Sequence, residues 1–148
     1  MWVESYSLPK NQGITCEHCG TYIRNVFVIH FDDGFSLKCG VECFNKLMKT
    51  SNLSQYGAKL LRKQIKRLKD YDEMRVKWEG WQTPEEADAD GSGPRIEDPE
   101  KPGFWRLMTQ AEFDEQRAFV LNELIPYRVA LVQEEIKKQF KNVRVKHA

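Results

Sequence analysis

The sequence predicts an α+β protein: a small module of one β-hairpin and one helix, followed by a long antiparallel helical hairpin. Three observations carry that expectation. All four cysteines fall in the first third of the chain as two close pairs, Cys16/Cys19 and Cys39/Cys43, with 19 residues between Cys19 and Cys39. Between the pairs, β-branched and aromatic residues flank an Asp-Gly turn, a strong local hairpin cue. Beyond them, two long stretches repeat apolar residues every three or four positions, the spacing of an amphipathic helix.

Residues 1–50 make the first segment. Trp2, Val3, Tyr6 and Leu8 form a lead-in that can cover the module, and residues 9–13 read as a turn. Cys16-Glu-His-Cys19-Gly20 fits a tight knuckle whose backbone amides face the sulfurs, with Gly20 supplying the backbone freedom of the turn. Residues 21–31 read as a strand, Asp32-Asp33-Gly34 as the turn and residues 35–39 as the returning strand. Cys39 then ends a strand, and Cys43 falls in the first turn of a helix, where the N-terminal dipole favours an anion. Thiolates suit soft and borderline metals, and four of them complete the tetrahedral shell of a structural Zn²⁺. Cys16, Cys19, Cys39 and Cys43 are therefore the expected ligands of one zinc ion. Two disulfides are the competing covalent reading. The opening Met1-Trp-Val-Glu-Ser-Tyr lacks the charged-then-apolar pattern of a secretory leader, which points to a reducing, cytoplasmic compartment instead. His18 lies too close to both knuckle cysteines to join their ion, and His30 falls in an alternating strand, so neither is expected as a ligand.

The order knuckle, hairpin, cysteine, helix-borne cysteine resembles a treble-clef zinc finger. Within that class, Lys38-Cys39-Gly40-Val41-Glu42-Cys43-Phe44 is similar to the Cys-Ser-x-x-Cys helix start of the MYM, FCS and TRASH group. The resemblance covers residues 14–49 and implies the four cysteines as zinc ligands. The sequence departs from the group at Lys38, where an aromatic is usual, and at Gly40, where Ser is usual. Members bind nucleic acid, metals or other proteins, so the resemblance does not choose among these. Small zinc-binding proteins of phage and bacteria are similar in outline. An HNH nuclease is also built on a treble clef, but it needs His on the helix, and Val41-Glu-Cys-Phe-Asn-Lys-Leu-Met-Lys49 has none.

Residues 51–81 are predicted as one helix capped by Ser54, after the first helix ends near residues 50–52. Tyr56, Leu60, Leu61, Ile65, Leu68, Tyr71, Met74, Trp78 and Trp81 make its apolar stripe. Lys59, Arg62, Lys63, Lys66, Arg67 and Lys69 lie off the stripe, either as a solvated face or as cations that follow a phosphate backbone. Residues 82–104 hold four of the six prolines and a run of acids without apolar periodicity, and read as a flexible acidic linker. Residues 105–148 open with Thr109-Gln-Ala-Glu112, a capping box. Phe113, Val120, Leu121, Leu124, Tyr127, Leu131, Val132, Ile136 and Phe140 continue a helical stripe to about residue 141, in which Pro126 predicts a kink or a break. The tail from residue 141 is basic and reads as loose. Helices 54–81 and 110–141 are expected to pair as an antiparallel hairpin, with a coiled-coil-like homodimer as a variant.

Net charge is only +1, yet it is segregated: −2 over residues 1–43, +6 over 44–81, −7 over 82–115 and +4 over 116–148. No apolar run approaches the ~18 residues of a membrane span, so no membrane partner is expected. No nucleophile with a nearby base, Gly-rich phosphate loop or open metal site is legible, which argues against an enzyme. Two binding readings remain. One is a zinc-stabilised protein-interaction module, a small regulator or inhibitor docking on a larger machine through the aromatics Trp78, Trp81, Phe104 and Trp105. The other is a nucleic-acid-binding protein that uses the basic helix and the knuckle.

Overall fold

A computed structural model of the chain describes residues 1–145, so the last three positions of the basic tail lie outside the described residues. The fold is mixed α/β, with small antiparallel sheets and one long helix. Two compact units divide the chain: Met1–Asp72 with the residues from Arg128 onward, and Glu73–Tyr127.

In the first unit, strands β1 (Trp2–Ser7), β4 (Asn25–His30) and β5 (Ser36–Cys39) form a sheet in the order β1-β4-β5, all antiparallel. The register sets Phe27 opposite Ser5 on one side and opposite Cys39 on the other. Two-residue strands β2 (Ile14–Thr15) and β3 (Tyr22–Ile23) clamp the knuckle between them. The turn joining β4 to β5 is closed as the Asp-Gly pair predicts. Gly34 adopts φ 89°, a left-handed conformation that costs glycine nothing, and the Phe35 N–H donates to Asp33 Oδ1 at 2.9 Å.

Helix α1 (Val41–Lys49) follows at once, and α2 (Gln55–Gly80) begins after Ser54, whose Oγ accepts from the Gly57 N–H at 3.0 Å. That bond satisfies one of the amides a helix start leaves open. Phe27, Ile29 and Leu37 of the sheet, Phe44 and Leu47 of α1, Leu61, Ile65 and Leu68 of α2, and Val132 and Ile136 form one buried core. Side chains of this kind each contribute about 1.5–3 kcal/mol on full burial.

The lead-in is more than a cover. It is strand β1, and Met1 and Val3 reach the core with 0% exposure. The tail is also less loose than its composition predicts. The Asn142 N–H donates to Asp32 Oδ2 at 2.8 Å, the Arg144 N–H donates to Asn52 Oδ1 at 2.9 Å, and Val143 is buried.

The second unit contains α3 (Pro84–Ala87), the hairpin of β6 (Arg95–Glu97) and β7 (Trp105–Leu107), and α4 (Gln110–Phe119). Residues 82–104 are thus more ordered than a flexible linker. Thr83 caps α3 by accepting from the Glu86 N–H at 3.1 Å, and Asp88 holds Arg95 at 2.9 Å and the Gly93 N–H at 2.9 Å. Asp90, Glu97 and Asp98 likewise accept from the N–H groups of Ser92, Gly103 and Glu100. Phe113 is fully buried and stacks on Trp78 with centroids 5.6 Å apart.

After α4 the chain makes a π-helical turn, Val120–Leu124, and continues as α5 (Ile125–Gln139), which runs on into the first unit. Pro126 therefore sits in a continuous helical path instead of breaking it. The Ile125 N–H reaches back five residues to the Val120 carbonyl. This wider turn shifts the carbonyls that the pyrrolidine ring would otherwise meet.

Candidate metal centre and basic helix face

The knuckle is built by its backbone. The Cys16 N–H donates to the Thr21 carbonyl at 2.8 Å and the Gly20 N–H to the Cys16 carbonyl at 2.9 Å, with Gly20 at φ 79°. β5 is tied alongside: the Glu17 N–H donates to the Lys38 carbonyl at 2.9 Å, and the Lys38 N–H donates to Glu17 Oε1 at 3.0 Å. Cys43 enters from the first turn of α1. The ligand atoms of Cys16, Cys19 and Cys43 lie within 4.8 Å of one another, close enough to hold a metal ion. Cys39, at the end of β5, is buried outside that group of three.

The thiols are electrostatically unequal. Cys19 Sγ lies 3.2 Å from its hydrogen-bond partner, the Thr21 hydroxyl, and this contact with the Thr21 backbone amide holds the exposed Cys19 thiol down to about 6. Burial pushes Cys39 up to about 12, and the neighbouring Cys16, Cys43 and Cys19 sulfurs push the same way. Burial likewise pushes Cys43 up to about 12. Crowded thiolates repel one another, and a cation among them relieves that repulsion. An all-sulfur donor set suits a soft or borderline metal.

Gly40 caps α1 and is buried; a Cβ there would lie 3.1 Å from Ile23 Cγ2, so the helix start packs closely on β3. His30 is engaged elsewhere, stacked on Trp2 at 3.9 Å with its Nε2 2.7 Å from Glu4 Oε2, and His18 is exposed.

The six basic residues of α2 divide into two groups. Lys66 pairs with Asp70 at 3.1 Å, Arg67 with Glu135 at 3.0 Å, and the Lys69 ammonium sits 5.2 Å from the Phe27 ring centroid. Lys59, Arg62 and Lys63 are exposed and form no ion pair among the described residues. The four aromatics also divide. Trp78 stacks on Phe113 and meets Trp81 edge-on at 5.5 Å, whereas Phe104 and Trp105 are 68% and 66% exposed.

Sequence reasoning missed a hollow of about 370 Å³ between α1 and the start of α2, lined by Phe44, Met48, Ala58, Leu61 and Arg62 among others. No local spacing signals it, because it depends on how two helices separated by a turn come together. No helix among the described residues is long and apolar enough to cross a membrane. No protein-family model matches this chain, and neither a curated protein nor a solved structure proves similar to it.

Proposed function

We propose that this chain is a zinc-stabilised protein-interaction module, a small regulator or inhibitor that docks on a larger, nucleic-acid-processing machine. The observation that carries the reading is the exposure of Phe104 and Trp105, adjacent aromatics at the entry to β7. Each forgoes about 1.5–3 kcal/mol available from burial, and apolar surface of this kind marks contact sites. Trp78 and Trp81 instead pack within the second unit, against each other and, for Trp78, on Phe113.

In this reading the ion is zinc and Cys39 is its fourth ligand. The all-sulfur donor set and the burial of Cys39 beside three other sulfurs support that assignment. The succession of knuckle, hairpin and helix supports a treble clef resembling the MYM, FCS and TRASH group. Burial of Leu61, Ile65 and Leu68 with Val132 and Ile136 supports a helical hairpin. A closed four-sulfur shell leaves no open position for chemistry, so the role is binding and the metal is structural.

Nucleic-acid binding is the second reading, favoured by the unpaired Lys59, Arg62 and Lys63. It is weakened by the intramolecular partners of Lys66, Arg67 and Lys69, which leave half of the basic cluster engaged. One titration separates the two. Zinc-loaded protein is mixed with labelled single- and double-stranded DNA and RNA at low salt and at about 150 mM salt. The protein-interaction reading expects no binding at the higher salt. Binding that persists there and disappears on reversing Lys63, Lys66 and Arg67 to Glu would replace it with the second reading.

A further inference from the structure

The hollow between α1 and α2 continues into a second of about 380 Å³, and the two share Met48, Lys49, Ala58 and Arg62. Together they form one groove. Its floor is aliphatic and thioether surface from the half-buried Met48, Leu53 and Ala58, and its rim carries Lys49, Lys59 and Arg62. No carboxylate appears among its described lining residues. None of the three rim cations forms an ion pair among the described residues, unlike Lys66 and Arg67 further along α2. Unpaired cations ringing an apolar floor lack anions and lack apolar cover.

We infer that this groove binds an acidic amphipathic helical segment of a protein partner, whose apolar stripe fills the floor while its carboxylates meet Lys49, Lys59 and Arg62. The inference rests on the protein-interaction reading above and gives that partner its chemistry. Charge complementarity selects an anionic occupant, and the floor selects the kind of anion. A nucleic-acid strand gains from stacking bases on exposed aromatic faces. The aromatic among the described lining residues, Phe44, is 2% exposed and offers no such face. Aliphatic and methionine surface accommodates Leu, Ile, Phe or Met side chains instead, and an amphipathic helix presents these at one-turn intervals.

The test presents the zinc-loaded full chain to a ribosome-displayed library of random peptides of about 15 residues, four helical turns. Recovered peptides are expected to carry Leu, Ile, Phe or Met at helical spacing flanked by Asp and Glu, and to shift the methyl signals of Met48 and Leu53. Their affinity should fall about tenfold or more for the Lys59→Glu/Arg62→Glu double variant and for Ala58→Trp, which fills the floor. Lys138→Glu, outside the groove, should bind as the parent does, and thermal melts of each variant exclude misfolding. Failure to enrich any peptide, peptides without acidic bias, or affinities unchanged by the groove variants would overturn the inference. So would binding of single-stranded oligo-dT that the same variants abolish. A partner that co-purifies equally with the parent and with Lys59→Glu/Arg62→Glu would remove the groove from the account and leave the protein-interaction reading standing.

Discussion

Glu112 does two jobs at the start of α4. Its carboxylate accepts from the Thr109 N–H at 3.0 Å, completing the capping box, and from both terminal guanidinium nitrogens of Arg106 at 2.7 and 3.2 Å. Arg106 chiefly, with the Thr109 amide, lowers the Glu112 carboxyl from its ordinary 4.5 to about 2. The deprotonated form is therefore favoured by folding, and its contribution is full above pH 4.5 and lost as pH falls through about 2. Glu112→Gln should melt below the parent at neutral pH, with the gap closing across that window. A gap that stays constant down to pH 2 would contradict the assignment. The box was legible because its members sit three apart, whereas Arg106 was not, since its approach depends on the turn between β7 and α4. Cys39 poses the corresponding question at the metal centre. Cobalt(II) added in place of zinc should give the visible and charge-transfer bands of tetrahedral four-thiolate coordination, and Cys39→Ser should lose them along with cooperative unfolding of the N-terminal module. A three-sulfur spectrum in the parent would leave Cys39 outside the shell.

Among the elements, α2 ends in a way its own sequence does not provide. Arg117 of α4 donates from Nε to the Trp78 carbonyl at 2.8 Å and from a terminal nitrogen to the Glu79 carbonyl at 3.0 Å. A cation at a helix C-terminus meets the negative end of the macrodipole, and the bonds occupy carbonyls the helix leaves open. Arg117→Ala should cost about 1–2 kcal/mol and speed hydrogen exchange over the last turn of α2. Unchanged exchange there would show the contact to be incidental. The long helices were readable because their apolar residues recur at helical spacing and Ser54 and Thr109 mark their starts. α3 carried a legible signal too: Thr83-Pro84-Glu85-Glu86 has the capping-box spacing with proline in the first turn, outweighed by the surrounding acids and glycines. β1 was harder to see. Its outer residues are only half-buried, so their alternation is blurred, and what defines it is pairing with a strand many residues away.

Across the whole molecule, two units mean that metal loss should act unevenly. Chelation is expected to strip amide protection from β5 and α1, which carry Cys39 and Cys43, while amides around Phe113 in α4 keep theirs. Equal loss in both would show that the metal stabilises the chain as one cooperative block. Grouping of residues from both ends of the chain into one unit was not legible, because no local pattern records which distant segments share a core. The sheet order has a further consequence, for association. β4 is the middle strand, and its run Val26-Phe27-Val28-Ile29 is wholly buried. β1 is what stands between that run and another chain. If β1 detaches, β4 becomes an open, apolar strand edge with unpaired backbone groups, the template on which strands from separate molecules pair. Proline at both Val3 and Ser5 should accordingly make the apparent mass climb with concentration more steeply than that of the parent.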